Sequence, residues 1–247
     1  MIREAIQYIV GLSEPHYITQ IDEYGNERTF CDRSLSEVRE TYDHAKALEL
    51  ETLSSLVDYI KSGIDKLPDK MIVHVESPTS VVLYSQLDPQ RSRETLIRCK
   101  ANVPEFAFNR FMDSNSFVIA LLSKFIQDAC TDIDRVLQFA GTAETGTVKQ
   151  YSDDGVSQSV VIKDGISHKT EDLVPSSVIL RPYRSFSEIE QVESRFVFRM
   201  DNSNGDVDCA LFEADGGAWR HETIIRIKKY LEEQLDIINR PDIAVIA

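Results

Sequence analysis

Four cysteines in 247 residues, Cys31, Cys99, Cys130 and Cys209, are too few and too far apart to read as a disulfide framework. None belongs to a Cys-x-x-Cys pair, so a zinc ribbon and a thioredoxin-type redox motif are both excluded, and free thiols in a reducing compartment are expected. Positive charge is also short. Lys+Arg number 27 against 41 Asp+Glu, a net charge of −14. A surface of that sign repels nucleic-acid phosphates and anionic membranes, which removes general DNA or RNA affinity while leaving room for a local basic patch. Long apolar runs are missing too, and no stretch approaches the length of a membrane span. The N-terminal pattern Ile2, Ala5, Ile6, Ile9 is amphipathic and carries Arg3 and Glu4, unlike a secretory signal. The expected setting is the cytoplasm.

Signatures of catalysis are equally scarce. There is no Gly-x-Ser-x-Gly elbow, no glycine-rich phosphate loop and no His-x-Glu pair. His16, His44, His74, His168 and His221 are dispersed without metal-ligand spacing. The run Asp201 to Asp208 places oxygen side chains at alternate positions, as a calcium loop does. It lacks the bidentate glutamate at the twelfth position, which is Phe212, and a polar hairpin tip accounts for it. No metal and no cofactor are expected.

What is present is strongly patterned from Arg195 to Leu235. Phe196, Phe198 and Met200 alternate with Val197 and Arg199, and Val207, Cys209 and Leu211 alternate with Asp208, Ala210 and Phe212. Asn204-Gly205 lies between the two runs and tolerates the positive φ of a tight turn, so the spacing predicts a hairpin. Gly216-Gly217 breaks the second strand. Ile224, Ile227, Leu231, Leu235 and Ile238 then recur on one stripe of a long helix.

Elsewhere, residues 2–12 read as a short helix and Tyr17 to Cys31 as a hairpin about Glu23-Tyr24-Gly25-Asn26. Ser34 and Glu37 resemble a capping box that opens a helix. Glu40 to Glu51 reads as a linker or an exposed helix. A helix follows through Leu53, Leu56, Val57, Ile60, Ile64 and Leu67, closed by Pro68. Strands are expected at Met71–Val75, Val81–Tyr84 and Arg93–Lys100, then helices through Phe117–Ile126 and Ile133–Ala140. Strands follow at Thr147–Tyr151, Val156–Lys163 and Val178–Tyr183, with a loop from Ser167 to Pro175 and an apolar tail, Ile243 to Ala247, as an edge strand. This is an α+β protein with a mostly antiparallel sheet and amphipathic helices packed on one side. Residues 1–50 form an appendage to a main domain of residues 51–247.

The block Phe117 to Ile126, then Phe139 with Thr147 to Ile162, then Arg195 to Ala214 running into a long helix, resembles the YfdQ-like phage and prophage proteins over about residues 51–235. That family is a domain of unknown function, so the resemblance implies no catalytic residues. It implies a phage setting, among early genes outside the virion, and a role in DNA metabolism or host takeover.

One further pattern points to a ligand. Arg181-Pro182-Tyr183-Arg184 follows a strand, and Trp219-Arg220 opens the final helix behind two glycines. A helix N-terminus offers free N–H groups to an anion, arginine offers a fork and an aromatic ring stacks on a base, so Arg181, Tyr183, Arg184, Trp219 and Arg220 would suit a nucleotide-sized ligand. The structural reading beside it makes Trp219 a core anchor and lets the arginines answer the many carboxylates. The function expected is non-enzymatic: an early phage-type protein that binds and sequesters or inhibits a host component, either a nucleotide-type defence signal or a host protein. The alternatives are an acidic inhibitor of DNA recombination or repair enzymes and an unrecognised hydrolase. A homo-oligomer is expected from the apolar tail and edge-like strands, which a monomer would have to cover.

Overall fold

Among the described residues, alternation of apolar and polar residues builds four sheets, and two of them carry hydrophobic cores. The computed structural model describes residues 2–11, 16–21, 27–31, 37–38, 45–68, 70–88, 91–144, 148–153, 158–164, 168–201 and 207–247. In chain order these form α1 (Ile2–Gly11), β1 (Tyr17–Ile21), β2 (Glu27–Cys31), β3 (Glu37–Val38), β4 (Leu48–Leu50), α2 (Leu53–Ser62), β5 (Met71–Ser77), β6 (Ser80–Ser85), β7 (Thr95–Lys100) and β8 (Met112–Asp113). Then come α3 (Ser114–Lys124), α4 (Ile133–Glu144), β9 (Val148–Asp153), β10 (Gln158–Asp164), β11 (His168–Val174), β12 (Val178–Leu180), β13 (Ser194–Asp201), β14 (Asp208–Glu213), α5 (Ala218–Ile237) and β15 (Ala244–Ile246). The fold is α+β with antiparallel pairing dominant, as the sequence predicts. No helix among the described residues is long and apolar enough to cross a membrane.

The first core lies under the sheet β12-β13-β14-β8. Phe196, Phe198 and Met200 point inward from β13, facing Cys209 and Leu211 of β14, and α3 and α4 close over them with Phe117, Leu121, Ile133, Val136 and Ala140. Rings interlock there: Phe108 stacks on Phe196 at 5.4 Å between centroids, and Phe117 on Phe198 at 5.7 Å. The Asp113 carboxylate accepts from Ser116 N at 2.9 Å and starts α3.

The second core lies under the sheet β15-β5-β6-β7-β4. Val73, Leu83 and Ile97 share one row of its inner face, with Val75, Val81 and Cys99 in the next. Helices α2 and α5 cover that face with Leu53, Leu56, Val57 and Ile60, and with Ile227, Leu231 and Leu235. Each core thus has its helices on one side of its sheet. The apolar tail is an edge strand, β15, paired in parallel with β5, and its neighbour Ile243 is buried in the second core. The segment expected as a packing unit from Arg195 to Leu235 therefore spans both cores: its hairpin builds the first, and its helix roofs the second.

Several expectations are corrected. The capping-box position Glu37 lies in a strand, β3, paired with β2. Leu48–Leu50, expected in a linker or exposed helix, pairs in parallel with β7 and joins the five-stranded sheet. Helix α2 stops at Ser62 because Gly63 takes the left-handed conformation (φ 59°), leaving Ile64 outside the helix and 75 % exposed. The loop expected from Ser167 to Pro175 is mostly strand β11, the outer member of the meander β9-β10-β11. The turns at Glu23–Asn26 and Asn204-Gly205, and the interior of the Asp201 run, lie outside the described residues.

Candidate functional site

The backbone of residues 181–183 is fastened to the end of α3. Ile126 N donates to Arg181 O at 2.8 Å and Tyr183 N to Lys124 O at 3.0 Å. The chain is extended here, so neighbouring side chains leave in different directions.

Arg181 meets carboxylates. Its Nη1 lies 3.1 Å from Asp128 and 3.7 Å from Glu190, and its Nη2 donates to Glu193. Arg184 turns toward the hairpin, where its side chain is only 10 % exposed. There Nη1 donates to Glu213 at 2.9 Å and Nη2 to the Ser194 hydroxyl at 2.5 Å. The guanidinium carbon sits 4.1 Å from the centre of the Trp219 ring, and 5.4 and 5.5 Å from those of Phe196 and Phe108. Burial pushes the Arg184 guanidinium down to about 10, against the pull of Glu213 and Asp215, so it stays charged at neutral pH.

Trp219 is brought back over Arg184 by the two glycines. Gly216 (φ 64°) and Gly217 (φ 81°) both adopt the left-handed conformation that other residues resist, and a Cβ on Gly217 would fall 2.6 Å from Arg220 Nη1. Arg220 lies over the same indole at 4.9 Å, is exposed, and has no ion-pair partner among the described residues. Arg184, Trp219 and Arg220 are thus one stack, whereas Arg181 belongs to a separate carboxylate cluster.

The anion position at the α5 N-terminus is filled from within the chain. The Asp215 carboxylate accepts from Gly217 N at 2.9 Å. The Arg184 fork thus ends on Glu213 and the Ser194 hydroxyl, and Asp215 caps the residue before α5. Burial alone would raise the Asp215 carboxyl, but the Gly217 N–H and the Arg184 charge pull the other way and it lies below the ordinary aspartate value. A carboxyl depressed in the folded state stabilises the protein above the unfolded value of about 3.9, and that contribution is lost as pH falls through the folded value. Asp113 and Asp128 act in the same direction. We expect stability in urea to decline below about pH 4, and Asp215→Asn to flatten that decline without abolishing it. An unchanged acid limb in the variant would remove Asp215 from this role.

Tyr183 is placed apart from the stack. It walls a cavity of about 310 Å³ with Glu51, Thr52, Ala101, Asn102, Pro104, Ser185, Phe186 and Ser187. No group of three or more potential metal ligands occurs among the described residues. The thiols of Cys99 and Cys209 are pushed up to about 12, chiefly by burial, and are inert at neutral pH. The residues that sequence reasoning missed are Ser194, Glu213 and Asp215, which complete the network. Their only sequence signal is polarity at strand ends beside a glycine pair.

No family model, no curated protein and no solved structure matches the chain.

Proposed function

We propose that the protein acts by binding rather than catalysis, as a phage-type early protein that holds or inhibits a host component in the cytoplasm. The phage setting rests on the resemblance of the Phe117–Ala214 pattern to the YfdQ-like proteins. The observation that supports a basic host protein as the partner is the internal neutralisation of the candidate site. Arg181 and Arg184 already face carboxylates, and Asp215 occupies the helix N-terminus, so an anionic ligand would have to displace them. With a net charge of −14, the surface instead attracts basic faces such as those of DNA recombination or repair enzymes, in competition with DNA. The nucleotide reading is favoured by one residue only, the exposed Arg220 on Trp219.

Calorimetry separates the two. Binding to a recombination or repair enzyme that weakens with salt and is competed by duplex DNA is the expected result. Uptake of a mono-, di- or cyclic nucleotide, weakened about 10- to 150-fold by Arg220→Ala, would replace it with the nucleotide reading. Turnover of that nucleotide would make the protein a hydrolase.

Self-association belongs to the same proposal. The tail pairs along β5 and buries Ile243, but Ile246 remains 48 % exposed, as does Ile237 at the end of α5, at 70 %. Light scattering should give a mass above 28.1 kDa, and a concentration-independent value at that mass would remove the oligomer.

A further inference from the structure

We propose that the cavity beside Tyr183 is a receptor for a guanidinium group, the side chain of an arginine on a partner protein. This deepens the basic-partner reading above, and it is tested separately from it.

The cavity lies between residues 101–104, leaving β7, and residues 183–187. Its floor is buried and nearly inert. Ala101 and Phe186 belong to the second core, and the Ser185 hydroxyl is committed to the carbonyl of Pro78. Its rim is exposed: Glu51, Asn102, Pro104, Tyr183 and Ser187. No basic side chain is among these lining residues, and Glu51 supplies a carboxylate.

The adjacent N-terminus of α2 does not make the cavity attractive to anions. Ser55 N donates to the Thr52 hydroxyl at 3.2 Å, and Ser54 N to Glu188 Oε1 at 3.1 Å. A hydroxyl and a second carboxylate have therefore taken the first-turn donors. The field around the cavity is negative, and the buried Cys99 thiol, whose Sγ donates to Thr52 O, registers it: Glu188 and Glu49 add to the upward push of burial there.

A cation is the matching ligand, and an aromatic lining residue suits a flat one. Tyr183 is 42 % exposed and its ring meets no other ring or cation among the described residues, and an aromatic face of this kind takes a guanidinium. The Asn102 amide oxygen and the Glu51 carboxylate accept N–H donors, of which arginine has five in a fixed fork. An ammonium is more strongly hydrated and stacks poorly, so lysine is the weaker fit.

The test is an amide-resolved NMR titration with N-acetylated, C-amidated arginine, lysine and glutamate. Saturable shifts at Asn102, Tyr183, Ser185 and Ser187 are expected with arginine, smaller ones with lysine, and none with glutamate. Glu51→Gln should weaken arginine about two- to fivefold, as for an exposed ion pair, and Glu51→Lys should abolish it. Tyr183→Leu should erase the preference for arginine over lysine. These rim changes leave both cores intact, which unchanged shifts elsewhere in the spectrum verify. Absence of saturable arginine shifts, equal response to glutamate, or undiminished binding in Glu51→Lys would overturn the proposal. Tighter binding of agmatine than of blocked arginine would assign the cavity to a free guanidine and overturn the protein side chain as its ligand. Arginine bound here without capture of any DNA-processing enzyme would keep the cavity and remove the proposed function. Capture of such an enzyme with an unresponsive cavity would do the reverse.

Discussion

Arg184→Ala should cost about 3 kcal/mol of folding stability, although arginine is usually a surface residue. The side chain is 10 % exposed, its two Nη groups are bonded to Glu213 and Ser194, and its flat face rests on Trp219. Truncation leaves a carboxylate and a hydroxyl without their donor and an indole without its stacking partner. Because Glu213 is 26 % exposed and can regain water, we place the loss at the lower end of that for breaking a buried pair. Arg184→Lys should recover little, since an ammonium cannot donate along the fork and stack at once. Arg181→Ala should cost less, because its partners Glu190, Glu193 and Asp128 are 68 %, 41 % and 30 % exposed and can regain water. Urea denaturation measures all three. A loss below about 1 kcal/mol in Arg184→Ala would mean that the stack is incidental.

A larger loss, about 4 kcal/mol, is expected for Phe196→Ala. Phe196 is fully buried, stacks on Phe108 with an interplanar angle of 12°, and meets Phe125 edge-on at 6.5 Å. It also lies beneath Arg184, so its removal opens a cavity in the first core and loosens the link to α5. Phe212, directly across the strand pair from Val197 but on the outer face, is only partly buried. Phe212→Ala should stay within about 1 kcal/mol. Equal losses at the two positions would show that the inner face does not hold the core.

The same pair of positions shows how much the sequence disclosed. Period-two alternation distinguished Phe196, Phe198 and Met200 from Val197 and Arg199 correctly, because a strand's two faces are written into its own residues. The helical stripe Ile227, Leu231, Leu235 was legible for the same reason. Which core each stripe enters was not, since that depends on partners more than a hundred residues away: α5 packs over strands formed by residues 71–100, not over the hairpin that precedes it. Short strands escaped as well. Leu48–Leu50 and Glu37–Val38 are held by their neighbours' hydrogen bonds, and too few residues are involved for a periodicity to appear. At the candidate site, the arginines and Trp219 were identifiable by type, but Asp215 reaches the helix N-terminus only through the turn made by Gly216-Gly217.

The parallel pairing of β15 with β5 carries a consequence for how the chain is made. The sheet and helix supplied by residues 48–101 leave part of their apolar face to be covered by Phe186, Ile189 and, above all, α5, with β15 completing the sheet edge. During synthesis α2 covers that face in part, and the rest waits for α5, more than a hundred residues further on. The first core draws its strands and helices from residues 106–211 and can close sooner. We therefore expect the nascent chain to acquire order in its middle before its beginning, with the 48–101 segment the one most in need of a chaperone's shelter.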